Sequence, residues 1–234
     1  MKTEIYIATH KDYSFPQIAG YIPIHVGKDL TDLNLGIIGD NTGDNISSLN
    51  PNFCELTALY WMWKNSSADY LGLIHYRRFF SIDGVKHISI EKIEEMMSSN
   101  TVVLAELLKF KKYKFFKYSV ENHYKEFQVA KDWDILKEVV NELYPEYIFS
   151  FEKIARGNEL AAYNMFIGSK SFVNSYCKWL FSILFEVRKR VDLKNHTDYQ
   201  LRIFGFMSER LLHIYVDKHR HELDIKFMEV IQEL

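Results

Sequence analysis

Short strand-forming runs alternate with helix-patterned segments along most of the chain, and this alternation narrows the possible folds more than any other feature. Residues 4–10 carry Ile5, Tyr6 and Ile7, and residues 21–26 form a second short run with β-branched members. Residues 70–76 set Leu71, Leu73 and Ile74 around Gly72, where the missing side chain allows close approach. Residues 101–105 read as a further strand, as do 161–167 and 223–228. Between them lie helices. Asn52 and Glu55 have the spacing of a capping box ahead of Leu56, Leu59, Tyr60 and Trp63. Residues 89–98 read as a short helix, and 132–143 as a longer one that stops near Pro145. Ser169 opens a helix that sets Phe172, Tyr176, Trp179, Ile183 and Val187 on one face. Thr197 and Gln200 form a second capping box before a helix reaching about Val216. The pattern predicts an α/β or α+β domain, residues 1–234 in one unit, on a mostly parallel central sheet flanked by helices.

Composition removes several classes. Hydrophobic residues make up 47% of the chain, which rules out global disorder. With 29 basic and 31 acidic residues the formal charge is −2, so this is no bulk polycation built for nucleic acid. Two cysteines, Cys54 and Cys177, form neither a disulfide framework nor a CxxC pair, and read as buried free thiols in a reducing compartment. No uncharged apolar stretch of about 18 residues occurs, and the first residues lack a signal-peptide pattern, so neither a membrane span nor a leader is expected.

The most informative local feature is His75-Tyr76-Arg77-Arg78-Phe79-Phe80, at the end of an apolar strand. Ligands of open α/β sheets sit at strand carboxyl ends, and guanidinium groups grip phosphate oxygens in pairs. Arg77 and Arg78 are thus anion-binding candidates, or else surface arginines paired with carboxylates. Thr9 and His10 end the first strand and are candidates for a nucleotide pocket, although a lone histidine is usually structural. The loop 32–50 carries Gly39-Asp40-Asn41-Thr42-Gly43-Asp44-Asn45, suited to sugar hydroxyls or a cation. Its spacing is not that of an EF-hand, and no P-loop or dinucleotide fingerprint is present. Glu55 reads first as a helix cap and second as catalytic. Glu209 and Arg210 read as a solvated, salt-bridged face or as an acid/base with an anion clamp. Residues 109–118 interleave lysines with aromatics; an inward-packed loop ranks first, contact with an anionic membrane or lipid diphosphate second, and single-stranded nucleic acid last.

Taken together, these segments resemble one family. They are Ile-Tyr-Ile-Ala-Thr-His-Lys at 5–11, Tyr-Ile-Pro-Ile-His-Val-Gly at 21–27, and Gly-Asp-Asn-Thr-Gly-Asp-Asn-Ile-Ser at 39–47. Asn-Pro-Asn-Phe-Cys-Glu-Leu-Thr at 50–57, Leu-Ile-His-Tyr-Arg-Arg-Phe-Phe at 73–80, Tyr-Asn-Met-Phe-Ile at 163–167 and Phe-Gly-Phe-Met-Ser-Glu-Arg-Leu at 204–211 complete the set. The chain is similar, over nearly all its length, to bacterial glycosyltransferases of capsule, exopolysaccharide and O-antigen biosynthesis long labelled a domain of unknown function, the DUF4422 type.

The resemblance implies a GT-A-like nucleotide-binding domain. It implies transfer of a hexose from a nucleoside-diphosphate sugar, with uridine diphosphate and galactose (pyranose or furanose) leading, to a glycan on a polyprenyl carrier. A cytoplasmic location follows, with peripheral contact at the inner face of the plasma membrane and no nucleic-acid partner. Many such enzymes hold a divalent metal, Mn or Mg, through an Asp-x-Asp motif at a strand end. Here the comparable position carries Arg77 and Arg78, which points to guanidinium groups in the metal's place, so no metal ligand is assigned. On this reading Arg77, Arg78, Asp40 and Glu209 are catalytic candidates, with Asp40 and Glu209 competing as base. Thr9, His10, Asn41, Asp44, Asn45, His75 and Arg210 bind the donor, and Tyr163, Asn164 and Met165 face the acceptor. A non-catalytic glycan- or nucleotide-binding protein of the same fold is the alternative.

Overall fold

The computed structural model describes residues 1–113 and 116–233; Lys114 and Phe115, within the lysine- and aromatic-rich stretch, lie outside the described residues. In chain order the elements are β1 (Thr3–Thr9), β2 (Tyr21–His25), β3 (Ile38–Gly39), α1 (Asn50–Phe53), α2 (Leu56–Asn65), β4 (Tyr70–His75), β5 (Arg78–Ile82) and β6 (Val85–Lys86). There follow α3 (Ile90–Met96), β7 (Thr101–Ala105), β8 (Leu107–Lys109), β9 (Lys111–Tyr113), β10 (Phe116–Lys117), α4 (Val120–Phe127), α5 (Ala130–Leu143) and α6 (Ile148–Arg156). Last come β11 (Glu159–Ala161), β12 (Phe166–Ser169), α7 (Lys170–Arg190), α8 (Ile203–Lys218) and β13 (Asp224–Gln232).

The main sheet has the order β3-β2-β1-β4-β12-β7-β13-β5-β6. Strands β3, β2, β1 and β4 run parallel. Strand β12 lies antiparallel to both β4 and β7, β13 is parallel to β7, and β5 is antiparallel to β13. The sheet is therefore mixed, not mostly parallel as the sequence pattern implied. An apolar run buried on both faces reads the same in either direction, so strand sense was not encoded in it. One reversal comes from a tight connection within the main sheet. The pair His75↔Arg78 closes a hairpin between β4 and β5, and only residues 162–165 separate β11 from β12. The expected strand over 161–167 is thus two strands: β11 pairs with β8 in a small separate sheet, and β12 joins the main one.

Alternation along the central strands divides the core into two layers. Tyr6 and Ala8 of β1, Leu71 and Leu73 of β4, Val102 and Leu104 of β7, and Phe166 of β12 face the layer packed by α2, α5, α6, α7 and α8. Ile5, Ile7, Ile74, Val103, Ala105 and Ile167 face the other, which is filled by Phe79, Phe80, Ile88 and Ile93. Residues that point both ways into apolar layers produce the near-continuous apolar runs seen in the sequence. Helix starts follow local chemistry: the hydroxyls of Ser89, Ser119 and Ser169 accept the backbone N–H groups of Lys92, Asn122 and Phe172. The Thr197–Gln200 box forms reciprocally, Gln200 N donating to Thr197 Oγ1 at 3.3 Å and Thr197 N to Gln200 Oε1 at 3.1 Å. In the stretch expected as a loop, the described residues include the end of β8 at Lys109 and the short strands β9 and β10, and Phe110 stacks on His123 at 4.0 Å between ring centroids.

Gly72 of β4 pairs with Ile5 of β1 on one side and Ile167 of β12 on the other. A Cβ there would lie 2.6 Å from Ile5 Cδ1, 3.1 Å from Ile167 Cγ1 and 3.3 Å from the Phe166 carbonyl oxygen. Gly72→Val is expected to destabilise the fold by about 1–3 kcal/mol through overpacking, read as a lower urea midpoint; an unchanged midpoint would show that the sheet can absorb the extra volume.

Candidate active site

Strands β1, β2 and β4 all end at one edge of the sheet, and a cleft of about 530 Å³ opens there. Its floor includes Ala8 and Val26, and its walls carry His10, His75, Tyr76, Arg78, Glu55 and Arg202. Crevices beyond strand carboxyl ends are where α/β sheets bind ligands. The β4–β5 hairpin sorts the two arginines. Arg78, the first residue of β5, is half-buried and lines the cleft; its guanidinium lies 4.6 Å from the Tyr163 ring centroid. Its Nε is buried without a hydrogen-bond partner, and no carboxylate pairs with it among the described residues. Arg77 sits at the turn, exposed, its guanidinium 5.1 Å from the Tyr76 ring and its carbonyl accepting Glu233 N–H.

Glu55 reaches the cleft through a break in a helix. The sequence implied one helix beginning at Asn52. Instead α1 stops and Cys54 takes a left-handed φ of 52° before α2 starts. Asn52 does not cap; its side-chain amide donates to the Leu201 carbonyl at 2.8 Å. Asn50 bridges the break, its amide donating to the Cys54 carbonyl and to Thr57 Oγ1. Glu55 holds the N-cap position of α2, yet its side chain caps nothing. Its Oε1 instead accepts the Asn164 amide at 2.6 Å.

Tyr163 and Asn164 both have positive φ, 72° and 54°, in the turn between β11 and β12. This turn joins four elements. Tyr163 N donates to Glu209 Oε1 at 2.9 Å, and the Tyr163 carbonyl accepts His75 Nε2 at 2.5 Å. Asn164 also donates to the Gly205 carbonyl and accepts the Ser208 hydroxyl. Gly205 lets α8 come close: a Cβ there would stand 3.3 Å from Cys54 Sγ. Asn164 is 2% exposed and Met165 fully buried, so neither presents a surface to an acceptor as the resemblance implied; Tyr163 remains partly accessible.

The other expected site residues are placed as follows. Thr9 is buried, its hydroxyl turned back onto the Lys11 backbone. His10 lines the cleft and packs edge-on against Tyr76. Asp40 is fully buried; its carboxylate accepts Gly27 N and Lys28 N, at 2.8 and 3.1 Å, and the Ser47 hydroxyl. It anchors the loop after β2 and does not line the cleft. Asn45 caps backbone within the same loop, and Asp44 binds Tyr60 and Asn65. Asn41 does not line the cleft either. Arg210 is 2% exposed and points into the helical layer, bonded to the Phe206 carbonyl, Glu209 Oε2 and His123 Nδ1. Both Glu209 oxygens are therefore taken. Arg202 belongs to the polar series Asp198, Gln200, Arg202, Ser208, Glu209 and Arg210 in the sequence, where nothing local separates it from a surface arginine; its place in the cleft lining marks it as a site residue.

The electrostatics are cationic. Burial pushes the His10 imidazole down, and Lys11, Arg202 and Arg77 push the same way. Burial also lowers His75, with Arg78 and Arg202 adding to it against Glu55 and the Tyr163 carbonyl. Glu209 is raised, first by burial and further by Glu55, with Arg210 opposing. A divalent metal fits this donor set poorly. Among the described residues Glu55 is the one carboxylate in the cleft lining, His75 Nε2 already serves the Tyr163 carbonyl, and no three His, Cys, Asp or Glu side chains converge.

Two stability effects follow. Asp40→Ala strips partners from one buried and one partly buried backbone N–H group and a buried hydroxyl, and is expected to cost about 1–3 kcal/mol by urea denaturation; wild-type stability would show that the carboxylate is not the loop's anchor. His123 is pushed down to about 4 by burial and by Arg210, against an ordinary value of 6.5. The unfolded chain therefore takes up this proton before the folded one, so stability falls as pH drops from 6.5 toward 4. Denaturation across that window should show a shallower slope in His123→Gln; an identical slope would remove His123 as its source.

Comparison with known proteins bears on all of this. Residues 4–220 match the family model described as a domain of unknown function, DUF4422. The apo structure of the WbbM bifunctional glycosyltransferase superposes with a TM-score of 0.91 at 30% sequence identity. The match covers 99% of this chain and 45% of that one, so the chain spans less than half of the length of that enzyme. A comparison with curated proteins returns no match. By its sequence over 217 residues, 4 through 220, and by its fold, the chain belongs to the DUF4422 family.

Proposed function

We propose that the chain is a glycosyltransferase of bacterial surface-polysaccharide biosynthesis that takes a sugar from a nucleoside-diphosphate donor bound in the cleft beyond β1, β2 and β4. The observation that carries this reading is Arg78: a guanidinium on the cleft wall, its Nε buried and unpartnered, with no carboxylate in ion-pair contact among the described residues and Glu209 acting on it only at longer range. Buried polar groups are nearly always satisfied, so an orphaned cationic donor facing a cleft calls for an anion from outside. A diphosphate fits that requirement. As the sugar leaves, negative charge grows on the diphosphate, and a fixed guanidinium stabilises it without the reorganisation that water needs. Arg202 adds a second positive charge to the cleft lining, and His10 and Tyr76 offer ring faces for the base and ribose.

The finer assignments are part of the same proposal. The parallel half-sheet β3-β2-β1-β4 with a reversed neighbour is compatible with a GT-A-like donor domain. We assign a uridine diphosphate hexose, galactose first, as donor and a polyprenyl-linked glycan as acceptor, on the family resemblance alone. Among the described residues no helix is long and apolar enough to cross a membrane, so reaching a lipid-linked acceptor would rest on peripheral contact from the cytoplasmic side.

Titration calorimetry with uridine diphosphate tests the reading. Arg78→Ala is expected to weaken binding about 10- to 100-fold, as loss of a hydrogen bond to a charged group implies. Exposed Arg77→Ala should change it less than Arg78→Ala. Equal affinity of Arg78→Ala and wild type would overturn the assignment.

A further inference from the structure

We propose that Glu55 is the catalytic base of the transfer and that Asn164 is the positioning residue that aims it. The inference rests on the transferase reading above and adds to it the group that removes the acceptor's proton.

Elimination supplies the first argument. Direct displacement needs a carboxylate near the acceptor hydroxyl, and three stand in or behind the site. Asp40 is buried outside the cleft, held by two backbone N–H groups and the Ser47 hydroxyl. Glu209 has one oxygen on Tyr163 N–H and the other on Arg210. Glu55 lines the cleft, and its side chain makes a single hydrogen bond among the described residues, from the Asn164 amide to Oε1. Its Oε2 is left for a substrate.

Backbone conformation supplies the second. Among the described residues five non-glycines have positive φ, and three of them, Cys54, Tyr163 and Asn164, lie in or next to the Glu55–Asn164 contact. Such conformations are costly for residues with a side chain and persist where the surroundings over-determine them. Here Cys54 turns the chain so that Glu55, at an N-cap position, leaves the helix uncapped and sends its carboxylate to Asn164. Asn164 is in turn fixed by the Gly205 carbonyl and the Ser208 hydroxyl. A carboxylate held by one oxygen, on a buried amide clamped from two sides, is pre-oriented for proton transfer.

In the step, the acceptor hydroxyl oxygen bonds to the anomeric carbon while its proton passes to Glu55. The bond from that carbon to the donor phosphate oxygen breaks, its electron pair leaving on the diphosphate that Arg78 holds. One displacement from the face opposite the leaving group inverts the anomeric configuration.

Glu55→Gln keeps the shape and an acceptor for the Asn164 amide but cannot take the proton. The test measures binding of uridine, guanosine and thymidine diphosphates, then turnover of the matching sugar nucleotides with octyl β-D-galactoside or water as acceptor. Glu55→Gln is expected to bind the diphosphate within about threefold of wild type and to lose about 10²- to 10⁴-fold in kcat. Glu55→Asp should recover part of that loss. Asn164→Ala should lower kcat with donor KM unchanged, and the product should be inverted by NMR. Wild-type kcat in Glu55→Gln, a loss of binding as large as the loss of rate, or a retained configuration would overturn the role of Glu55. A wild-type chain that neither binds a nucleoside diphosphate nor releases one would instead overturn the transferase reading.

Discussion

The side-chain amide of Asn164 is the contact on which the site's geometry depends. It bonds Glu55 at the start of α2 and the Gly205 carbonyl in α8, while its oxygen accepts the Ser208 hydroxyl. Next to it, Tyr163 binds Glu209 through its N–H, His75 through its carbonyl and the Arg78 guanidinium through its ring. Two adjacent residues in a tight turn thus fix groups from α2, β4, β5 and α8 relative to one another. Buried polar networks of this kind hold a single geometry only when each member is satisfied, and Asn164 is. The turn owes its position to the sheet: β12 must run antiparallel between β4 and β7 for residues 163–165 to emerge at the carboxyl end of β4.

That frame holds charge in an unusual way. Four arginines pair with carboxylates: Arg190 with Glu142 and Glu186, Arg156 with Glu152, Arg210 with Glu209, Arg220 with Asp217. Arg78, like Arg77, Arg188 and Arg202, makes no such ion pair among the described residues. It is held over an aromatic face, which favours the cation without neutralising it. The result is a cleft whose histidines are pushed toward the neutral form and whose single carboxylate is tethered by one oxygen. An anionic ligand relieves the repulsion, so affinity and position come from the same feature.

Much of the scaffold was legible in the sequence because its physics is local or periodic. Strands β1, β4 and β7 are apolar on both faces and stand out as runs; Ser169 announces α7; Gly72 marks a close approach. Arg78 was legible because two arginines after a buried strand are out of place. The rest depends on long-range geometry. Glu55 looked like a cap because its spacing from Asn52 fits one, and a left-handed Cys54 leaves no trace in composition. Asp40 and Glu209 looked catalytic because loop and helix carboxylates advertise charge, whereas their hydrogen-bond partners come from residues 27, 28 and 47 and from the distant Tyr163. Strand sense was hidden, since Phe166 and Ile167 alternate between layers whichever way β12 runs. Helices α4 and α6 were overlooked between stronger signals, and Arg202 had no local mark at all.

The most direct test of the central claim is a crystal structure of the chain soaked with uridine diphosphate. The account expects the two phosphates in the cleft beyond β4, within hydrogen-bonding distance of the Arg78 guanidinium, with Glu55 still bound to Asn164. Diphosphate density away from Arg78, or an Arg78 that turns to a carboxylate when the cleft is filled, would contradict it.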